Sequence, residues 1–545
     1  MNRERHAGEG LAGKPGRGGL YILDRCGIRA KEIMIERACE SVGIDLGTTF
    51  SSMAYLDGKL IPQMVIDTSG KSVVPSVILF DDDEILVGDM ALEQSVLSPE
   101  WVVQFIKVHM GEDWRKEFRG HTYTPESLSA IILGHLVKEA EKQNFGAIRS
   151  AVITVPAYFN EKRRRATQQA GEIAGLKVIG TLNEPMAATL AYGLHQQERE
   201  QNVVVYDLGG GTFDVTVVKI SPREIVELAT SGDRQLGGKD WDQTLIDLVA
   251  AEFQQAHGLD PRQFPDSHQN LLLASEKAKR QLSVRERAKI SCLAGNKQHQ
   301  TEITRHQFEA LTLGLLESTK LTTEIAMEEA GLTWSQIDRV LLVGGSTLMP
   351  AVHSMLEQVS GKKPEFGVNP VIAVALGAAV YAYTLEADLG LTLVERPRTG
   401  ITFVTAHGVG LRVRDESGRN WKNSVLIPKN SQVPAIGTRR YVCAEEINEQ
   451  TVIRIEVTQG DSEDVNLVEV LGKATIEGFP RNEPAGQPVD VNLEFDKQGR
   501  LHMKAIFANT GQEVRMSLDV VGGLCEADVI HQHTHLKKVG FLAER

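Results

Sequence analysis

One short pattern occurs twice in this chain, roughly 160 residues apart, and it constrains the fold more than any other feature. Each copy has an apolar strand ending in aspartate, a glycine-rich turn with threonine, and a returning apolar strand. We name the copies the first glycine turn (residues 43–49) and the second glycine turn (residues 206–212). An ordinary hairpin would explain either copy alone, whereas the repetition indicates a duplicated α/β unit.

Both glycine turns have the chemistry expected of a site for magnesium and phosphate. Glycine lets backbone N–H groups approach an anion closely. Asp45 and Asp207 supply the few carboxylates that Mg²⁺ combines with waters and substrate phosphate. Neither turn has the spacing of a P-loop or of a dinucleotide-binding turn. Two such hairpins facing each other across a cleft would clamp the phosphates of ATP.

Hydrophobic patterning divides the 545 residues into regions. Alternating strands and helices over residues 41–385 predict an α/β domain. Residues 386–398 have no clear period and are interpreted as a linker. Short alternating strands over residues 399–520 predict an antiparallel β domain. We expect a disordered N-terminal extension at residues 1–40 and a short C-terminal tail, with at most one short helix, at residues 521–545.

Composition favours a cytoplasmic protein whose partners are neither nucleic acid nor membrane. The formal net charge is −13, whereas nucleic-acid binding requires clustered Lys and Arg. No apolar run approaches the ~18 residues that span a bilayer. The five cysteines are scattered and include no C-x-x-C pair, which is typical of a reducing compartment.

Four further motifs, together with the two turns, resemble the heat-shock protein 70 chaperones in type and order. They are VPAYFN at 155–160, NEPMAA at 183–188, GGST at 344–347 and GAA at 377–379. The resemblance covers roughly residues 42–518. It implies an α/β, actin-like (ribonuclease H-like, duplicated) ATPase domain followed by an antiparallel β-sandwich domain. The turns alone would fit the whole superfamily of actins, sugar kinases and chaperones.

The resemblance implies roles for individual residues around ATP or ADP and Mg²⁺. Asp45 and Asp207 would orient the metal ion, and Lys107 would place a positive charge beside the γ-phosphate. A surface lysine is the alternative for Lys107. The residues implied in hydrolysis are Lys107, Glu184, Asp214 and Thr212. Those implied in holding the phosphates are Gly47, Thr48, Thr49, Gly209, Gly210, Gly211 and Thr212.

The nucleoside side rests on a helix face and a turn. Glu276, Lys279, Arg280 and Ser283 fall at i, i+3, i+4 and i+7, on one face of a helix. The resemblance implies that they contact adenosine, and a helix with surface ion pairs is the alternative. It implies that a turn also lies against the nucleoside, formed by Gly344, Gly345 and Ser346. Leu348 stands where the family usually has arginine, which predicts a lower nucleotide affinity.

The resemblance also implies communication between the two domains and a cleft for extended apolar peptides. Pro156 and Arg164 match the family's relay, with a strand end and a solvated helix charge as their alternatives. The residues expected near the peptide are Val425, Tyr441, Ile453 and Ile455, with sandwich core as the alternative for each. The chain ends before the family's helical lid, so we expect fast peptide release.

The sequence therefore predicts an ATPase that acts as a chaperone, in which Mg-ATP hydrolysis controls affinity for unfolded polypeptides. A J-domain co-chaperone and a nucleotide exchange factor are candidate partners. The alternatives are a family member that binds nucleotide with little hydrolysis, an actin-superfamily small-molecule kinase and an actin-like filament protein.

Overall fold

The computed structural model describes most of the chain from residue 40 onward. The described residues are 37, 40–81, 84–143, 145–193, 199–388, 400–443, 453–477, 485–496, 501–509, 511, 513–520 and 523–542. The predicted disordered extension lies outside these residues, apart from positions 37 and 40.

The N-terminal half of the α/β region is built on a six-stranded sheet of order β11-β10-β1-β2-β3, with β4 beside β2. The strands of this half, including those of two smaller sheets, are Val42–Asp45 (β1), Phe50–Leu56 (β2), Pro62–Met64 (β3), Val74–Pro75 (β4), Ile78–Phe80 (β5), Ile85–Val87 (β6), Val102–Val103 (β7), Lys116–Phe118 (β8), His121–Tyr123 (β9), Ser150–Val155 (β10) and Lys177–Asn183 (β11). Its helices are Asp89–Gln94 (α1), Pro125–Lys142 (α2), Glu161–Ile173 (α3) and Glu184–Gly193 (α4).

The C-terminal half of the α/β region contains the second large sheet and most of the longer helices. Its strands are Gln201–Leu208 (β12), Phe213–Ile220 (β13), Glu224–Asp233 (β14), Arg287–Ala294 (β15), Lys297–Thr304 (β16) and Arg339–Val343 (β17). Its helices are Gly238–His257 (α5), Pro265–Val284 (α6), Arg305–Leu311 (α7), Leu313–Glu329 (α8), Pro350–Ser360 (α9) and Ala373–Asp388 (α10).

The two halves repeat one strand arrangement. Strand β1 pairs antiparallel with β2 and parallel with β10. Strand β12 likewise pairs antiparallel with β13 and parallel with β17. The duplicated glycine turns therefore occupy equivalent corners of two related sheets, as the repeated pattern predicts.

Capping residues set the starts of two helices that carry the site. Thr124 and Ser127 exchange side-chain-to-backbone hydrogen bonds at the start of α2, where Pro125 is the first helical residue. The side chain of Asn160 accepts from the backbone N of Arg163 at 2.9 Å and caps α3. The start of α3, which carries the relay residue Arg164, is thus fixed locally.

Small residues let α4 and α10 cross at close distance. A Cβ on Gly377 would lie 1.7 Å from Ala187 O, and a Cβ on Gly43 would lie 2.1 Å from Ala379 N.

Helix α10 also extends three residues into the predicted linker. It continues because Glu386 is buried and accepts from Ser41 N at 2.7 Å. The predicted start of the linker at residue 386 is therefore corrected.

The described residues of the C-terminal β region form ten strands, eight of which make up one antiparallel sheet. The order of that sheet is β20-β19-β23-β24-β27-β26-β25-β22. The strands are Gly400–Val404 (β18), Val409–Arg414 (β19), Trp421–Ile427 (β20), Gln432–Val433 (β21), Ala435–Val442 (β22), Ile453–Gln459 (β23), Glu469–Glu477 (β24), Pro488–Phe495 (β25), Leu501–Phe507 (β26) and Glu513–Val520 (β27). Strands β25 and β26 form a hairpin, and β25 alternates buried with half-buried residues.

Two segments that were predicted to lie after the α/β domain pack against it instead. Strand β18 pairs parallel with β14, so the first strand after the linker continues the second sheet of the α/β region. The predicted tail contains a 13-residue helix, Glu526–Lys538 (α11), which packs against α2 and α3. Leu536, Phe541 and Leu542 are buried in the core of the N-terminal half. Among the described residues, no helix has the length and apolarity needed to cross a membrane.

Candidate functional site

Four carboxylates, three of them buried and the fourth, that of Asp45, half-buried, converge where the two large sheets approach each other. Asp45 ends β1, Asp207 lies near the end of β12, Glu184 begins α4 and Asp214 lies in β13. Thr154 Oγ1 donates to Asp45 Oδ1 at 3.1 Å. Each acid stands at a strand end or helix start, which is where side chains can face a cleft between sheets.

Lys107 supplies the positive charge of this cluster. It lies in a 3₁₀ turn, Ile106–His109, is buried, and forms an ion pair with Glu184. The preceding residue, Phe105, has a φ of 58°, in the left-handed region that bulky residues rarely adopt. Backbone strain of this kind is concentrated at functional sites. The surface-lysine alternative is wrong for Lys107.

The cluster holds more negative charge than its lysine neutralises. Burial, followed by repulsion from Glu184, raises the pKa of Asp45 and that of Asp214 to about 7. The same causes raise the pKa of Asp207 well above its usual value. Burial lowers the pKa of Lys107, but attraction to Glu184 and Asp45 outweighs it, and the net pKa is raised. A further cation would relieve this repulsion.

The residues present fit a magnesium ion held largely through water and phosphate. Asp207 Oδ2 is buried and has no hydrogen-bond partner among the described residues. Within the described part of the chain, no three acids, histidines or cysteines stand close enough to cage a metal directly. Mg²⁺ does not require such a cage, because it keeps several waters and binds one or two carboxylates plus substrate phosphate.

The two glycine turns meet face to face above the carboxylates. A Cβ on Gly210 would lie 1.8 Å from Thr49 Oγ1, and one on Gly211 would lie 2.6 Å from Thr48 Cγ2. A Cβ on Gly237 would lie 2.4 Å from Gly211 N. The two turns are therefore packed closely against each other, and only glycine leaves room for this approach. Gly47 and Thr212 belong to the same two turns.

The residues predicted for the nucleoside divide into two groups. Lys279 is buried on α6 and donates to Gly238 O (2.8 Å) and Asp242 Oδ2 (2.7 Å). Ser346 Oγ donates to Gly209 O at 2.8 Å, which joins the turn at 344–346 to the second glycine turn. The other residues of the α6 face lie farther out: Glu276 pairs with the exposed Arg280, and Ser283 Oγ donates to Lys279 O.

Three groups at the site were missed from sequence. Tyr158 N donates to Asp214 Oδ1 at 2.9 Å. Asp242 pairs with Lys279, and burial raises the pKa of Asp242 to about 6 despite that lysine. Gly237 packs against the second glycine turn. Tyr158 lies inside the motif at 155–160, whereas the sequence analysis singled out neither Gly237 nor Asp242.

The relay residues lie between the carboxylates and the β region. Pro156 ends β10 and is buried, directly before Ala157. Arg164 donates to Ala157 O (3.0 Å), Phe159 O (3.1 Å) and Asn183 Oδ1 (2.8 Å). Asn183 precedes Glu184 in the chain. The solvated-charge alternative is therefore wrong for Arg164.

The β region contacts the α/β region around the same motif. His407 Nε2 donates to Tyr158 O at 3.1 Å, and Gln459 Oε1 accepts from Glu161 N at 3.1 Å. Asn160 Nδ2 donates to Glu469 Oε2. The residues next to the carboxylate cluster thus form part of the interface with the β region.

The residues predicted to contact peptide lie on three strands of the eight-stranded sheet. Val425 lies on β20 and Tyr441 on β22, which are the two edge strands, and the hydroxyls of Tyr441 and Ser424 are 2.8 Å apart. Ile455 packs partly against the core of the sheet from β23. Ile453 begins β23, and its side chain lies outside the described residues. The open edges of one sheet therefore approach each other near Val425 and Tyr441.

Comparison with known proteins agrees with this geometry. The family profile described as Hsp70 protein matches residues 41–538. Chaperone protein DnaK from Halobacterium salinarum strain R1 is 39% identical over 497 residues, which is 90% of this chain and 76% of that protein. The DnaK of strain NRC-1 matches equally. With the duplicated sheets and the antiparallel β region, these matches confirm the predicted fold class and show that the chain belongs to the Hsp70 family.

Proposed function

We propose that the chain is an ATP-dependent molecular chaperone that binds extended apolar segments of unfolded proteins. One observation carries the proposal: two glycine turns from opposite halves meet beside four clustered carboxylates and Lys107, while the β region contacts the backbone beside them. Family membership supports the same function. The kinase and filament alternatives are not favoured, because the matching relatives are chaperones.

The site residues have separable roles in the proposed hydrolysis of ATP. Magnesium, when bound, neutralises charge on the β- and γ-phosphates. The N–H groups of the glycine turns hold these phosphates, and Lys107 stabilises charge that develops during phosphoryl transfer. Glu184 keeps Lys107 in place. Asp214, oriented by the N–H of Tyr158, positions the attacking water.

A chain of buried polar contacts supports coupling between this site and the β region. Arg164 binds the carbonyl of Ala157 and the side chain of Asn183, which adjoins Glu184. Glu227, on β14, accepts from Val404 N of β18 at 3.2 Å, and burial raises the pKa of Glu227 to about 7. A change at the nucleotide site that moves Asn183 would therefore reach the strand leading to the β region.

The function is tested by measuring ATP hydrolysis by the purified protein with and without an unfolded apolar peptide. We expect peptide to accelerate turnover several-fold, because peptide and nucleotide sites share the relay. ATP binding with no turnover would instead support the low-hydrolysis alternative. J-domain proteins and nucleotide exchange factors would be added in later assays as proposed partners, and cytoplasmic location stays an expectation from cysteine usage.

Arg164→Met is expected to abolish most of the peptide stimulation. The substitution keeps the aliphatic stem but leaves three buried acceptors without their donor, at about 1–3 kcal/mol each in lost hydrogen bonding. Arg165→Met is the matched control, because Arg165 is the next residue of the same helix and its side chain is exposed. The measurement is the ratio of turnover with peptide to turnover without it. An unchanged ratio in Arg164→Met would contradict the relay assignment.

A further inference from the structure

Helix α11 presents an unusual run of histidines to the N-terminal half. His531, His533 and His535 lie on this helix, and His121 lies opposite them in β9. The rings of His121 and His535 stack with centroids 3.4 Å apart and planes 6° from parallel. The ring of His531 lies 5.7 Å from that of His121.

Hydrogen bonds tie this histidine cluster to the β8–β9 hairpin. His121 Nε2 donates to Gln532 Oε1 at 3.0 Å, and Gln532 Nε2 donates to Thr122 O at 3.2 Å. The hydroxyl of Tyr123 and Nε2 of His535 are 3.0 Å apart. The stacked pair therefore stands at the centre of the contact between α11 and the hairpin.

The rest of the helix and its ends are anchored on α2 and α3. Gln169 clamps the backbone of Leu524, with its Nε2 donating to the carbonyl (2.6 Å) and its Oε1 accepting from the N–H (3.0 Å). His533 Nδ1 donates to Ile173 O at 2.8 Å. Lys138 Nζ donates to Gly540 O and stands over the ring of Phe541.

The charges around the stacked pair are positive when the groups are ionised. His121 from β9, with His531 and Lys538 from α11 itself, all act on His535 and disfavour its protonated form. Arg119, in the turn between β8 and β9, acts on the adjacent Tyr123. At the far end of α11, Lys138 and Glu141 of α2 line a cavity with His533 and Lys537.

We propose that α11 is a pH-sensitive latch that stays docked on the N-terminal half while His535 is neutral, and that protonation of His535 releases it. A charged His535 ring would be stacked on the His121 ring at van der Waals distance and would be repelled by the nearby Lys538. The released segment would detach from Gln169, on the same helix as Arg164. The latch would therefore loosen one of the attachments between the β region and the α/β region in acid.

The direction of the pH effect follows from the pKa values. Burial first, and then the neighbouring cations, lower the pKa of His535 to about 4 in the docked helix. The pKa of an unperturbed histidine side chain is about 6.5. The undocked form thus binds more protons, and docking weakens as pH falls from about 6.5 towards 4. The full pKa shift would weaken the docking equilibrium of α11 by about 30-fold at pH 5. Since His535 is partly exposed to solvent, we expect about tenfold.

The test is hydrogen exchange of the backbone amides of α11 in the full chain at pH 7.5 and pH 5.0, corrected for intrinsic rates. An isolated helix of this length is marginal in water, so its protection reports docking. We expect protection to fall about tenfold in the wild-type protein at pH 5.0 and less than twofold in His535→Gln, which keeps a partner for Tyr123. Unchanged wild-type protection, or an equal fall in His535→Gln, would overturn the proposal.

Further variants separate the latch from other effects of acid. His306→Gln removes an exposed histidine of α7, and we expect the protection of α11 in this variant to fall at pH 5.0 as it does in the wild type. His407→Gln removes the buried histidine at the β-region interface, and a flattened response in that variant alone would overturn the assignment to α11. If His535→Gln is unprotected already at pH 7.5, His535→Phe decides. It keeps a stacked ring without the charge, so a wild-type pH dependence in it would also overturn the proposal.

Discussion

Lys107→Met is expected to lower the turnover of ATP by about 10²–10³-fold, the loss usual when one group that stabilises transition-state charge is removed. Lys107 is buried and is paired with Glu184. Its removal leaves the four acids of the cluster without their lysine, which raises the pKa of Asp45 further. Folding should survive, because those acids can take up protons.

The measurement is single-turnover hydrolysis of ATP together with nucleotide affinity. Lys59→Met is the matched control, because Lys59 is exposed and remote from the cluster. A loss confined to the chemical step supports the role proposed for Lys107. A variant that binds ATP more weakly but hydrolyses bound ATP at the normal rate would show that the lysine acts only in binding.

Asp207→Asn is expected to reduce magnesium-dependent turnover by about 10²-fold with no loss of stability. Asparagine has the shape of aspartate but lacks the charge that would orient a metal ion. The folded protein disfavours the ionised form of Asp207, since burial and three neighbouring acids raise its pKa. Removing that charge therefore relieves repulsion, and the thermal midpoint should stay equal or rise.

The magnesium dependence of turnover distinguishes this prediction from a general loss of activity. We expect the variant to require more Mg²⁺ for half-maximal rate. Asp266→Asn, at an exposed position in the first turn of α6, controls for the change in net charge. Turnover that is unchanged at every magnesium concentration would remove Asp207 from the metal site.

Sequence was a good guide to this fold wherever the signal is local. The duplicated turns predicted duplicated sheets, because a strand, an aspartate and a glycine turn are specified within seven residues. Strands β10 and β17 end where their apolar runs meet Pro156 and Gly344, so the local sequence is enough to fix these ends. Family resemblance then placed the acids and Lys107 in one site, although no spacing in the chain relates Lys107 to Glu184.

What only the tertiary structure decided are contacts between residues far apart in the chain. Helix α11 was predicted as part of a tail, because its mixed pattern does not show that Leu536 completes the core of the N-terminal half. Strand β18 was assigned to the β domain by its period, yet it pairs with β14 of the α/β region as well as with β21. Periodicity states which face of a segment is buried. Which distant surface buries it depends on the assembled shape of the whole chain.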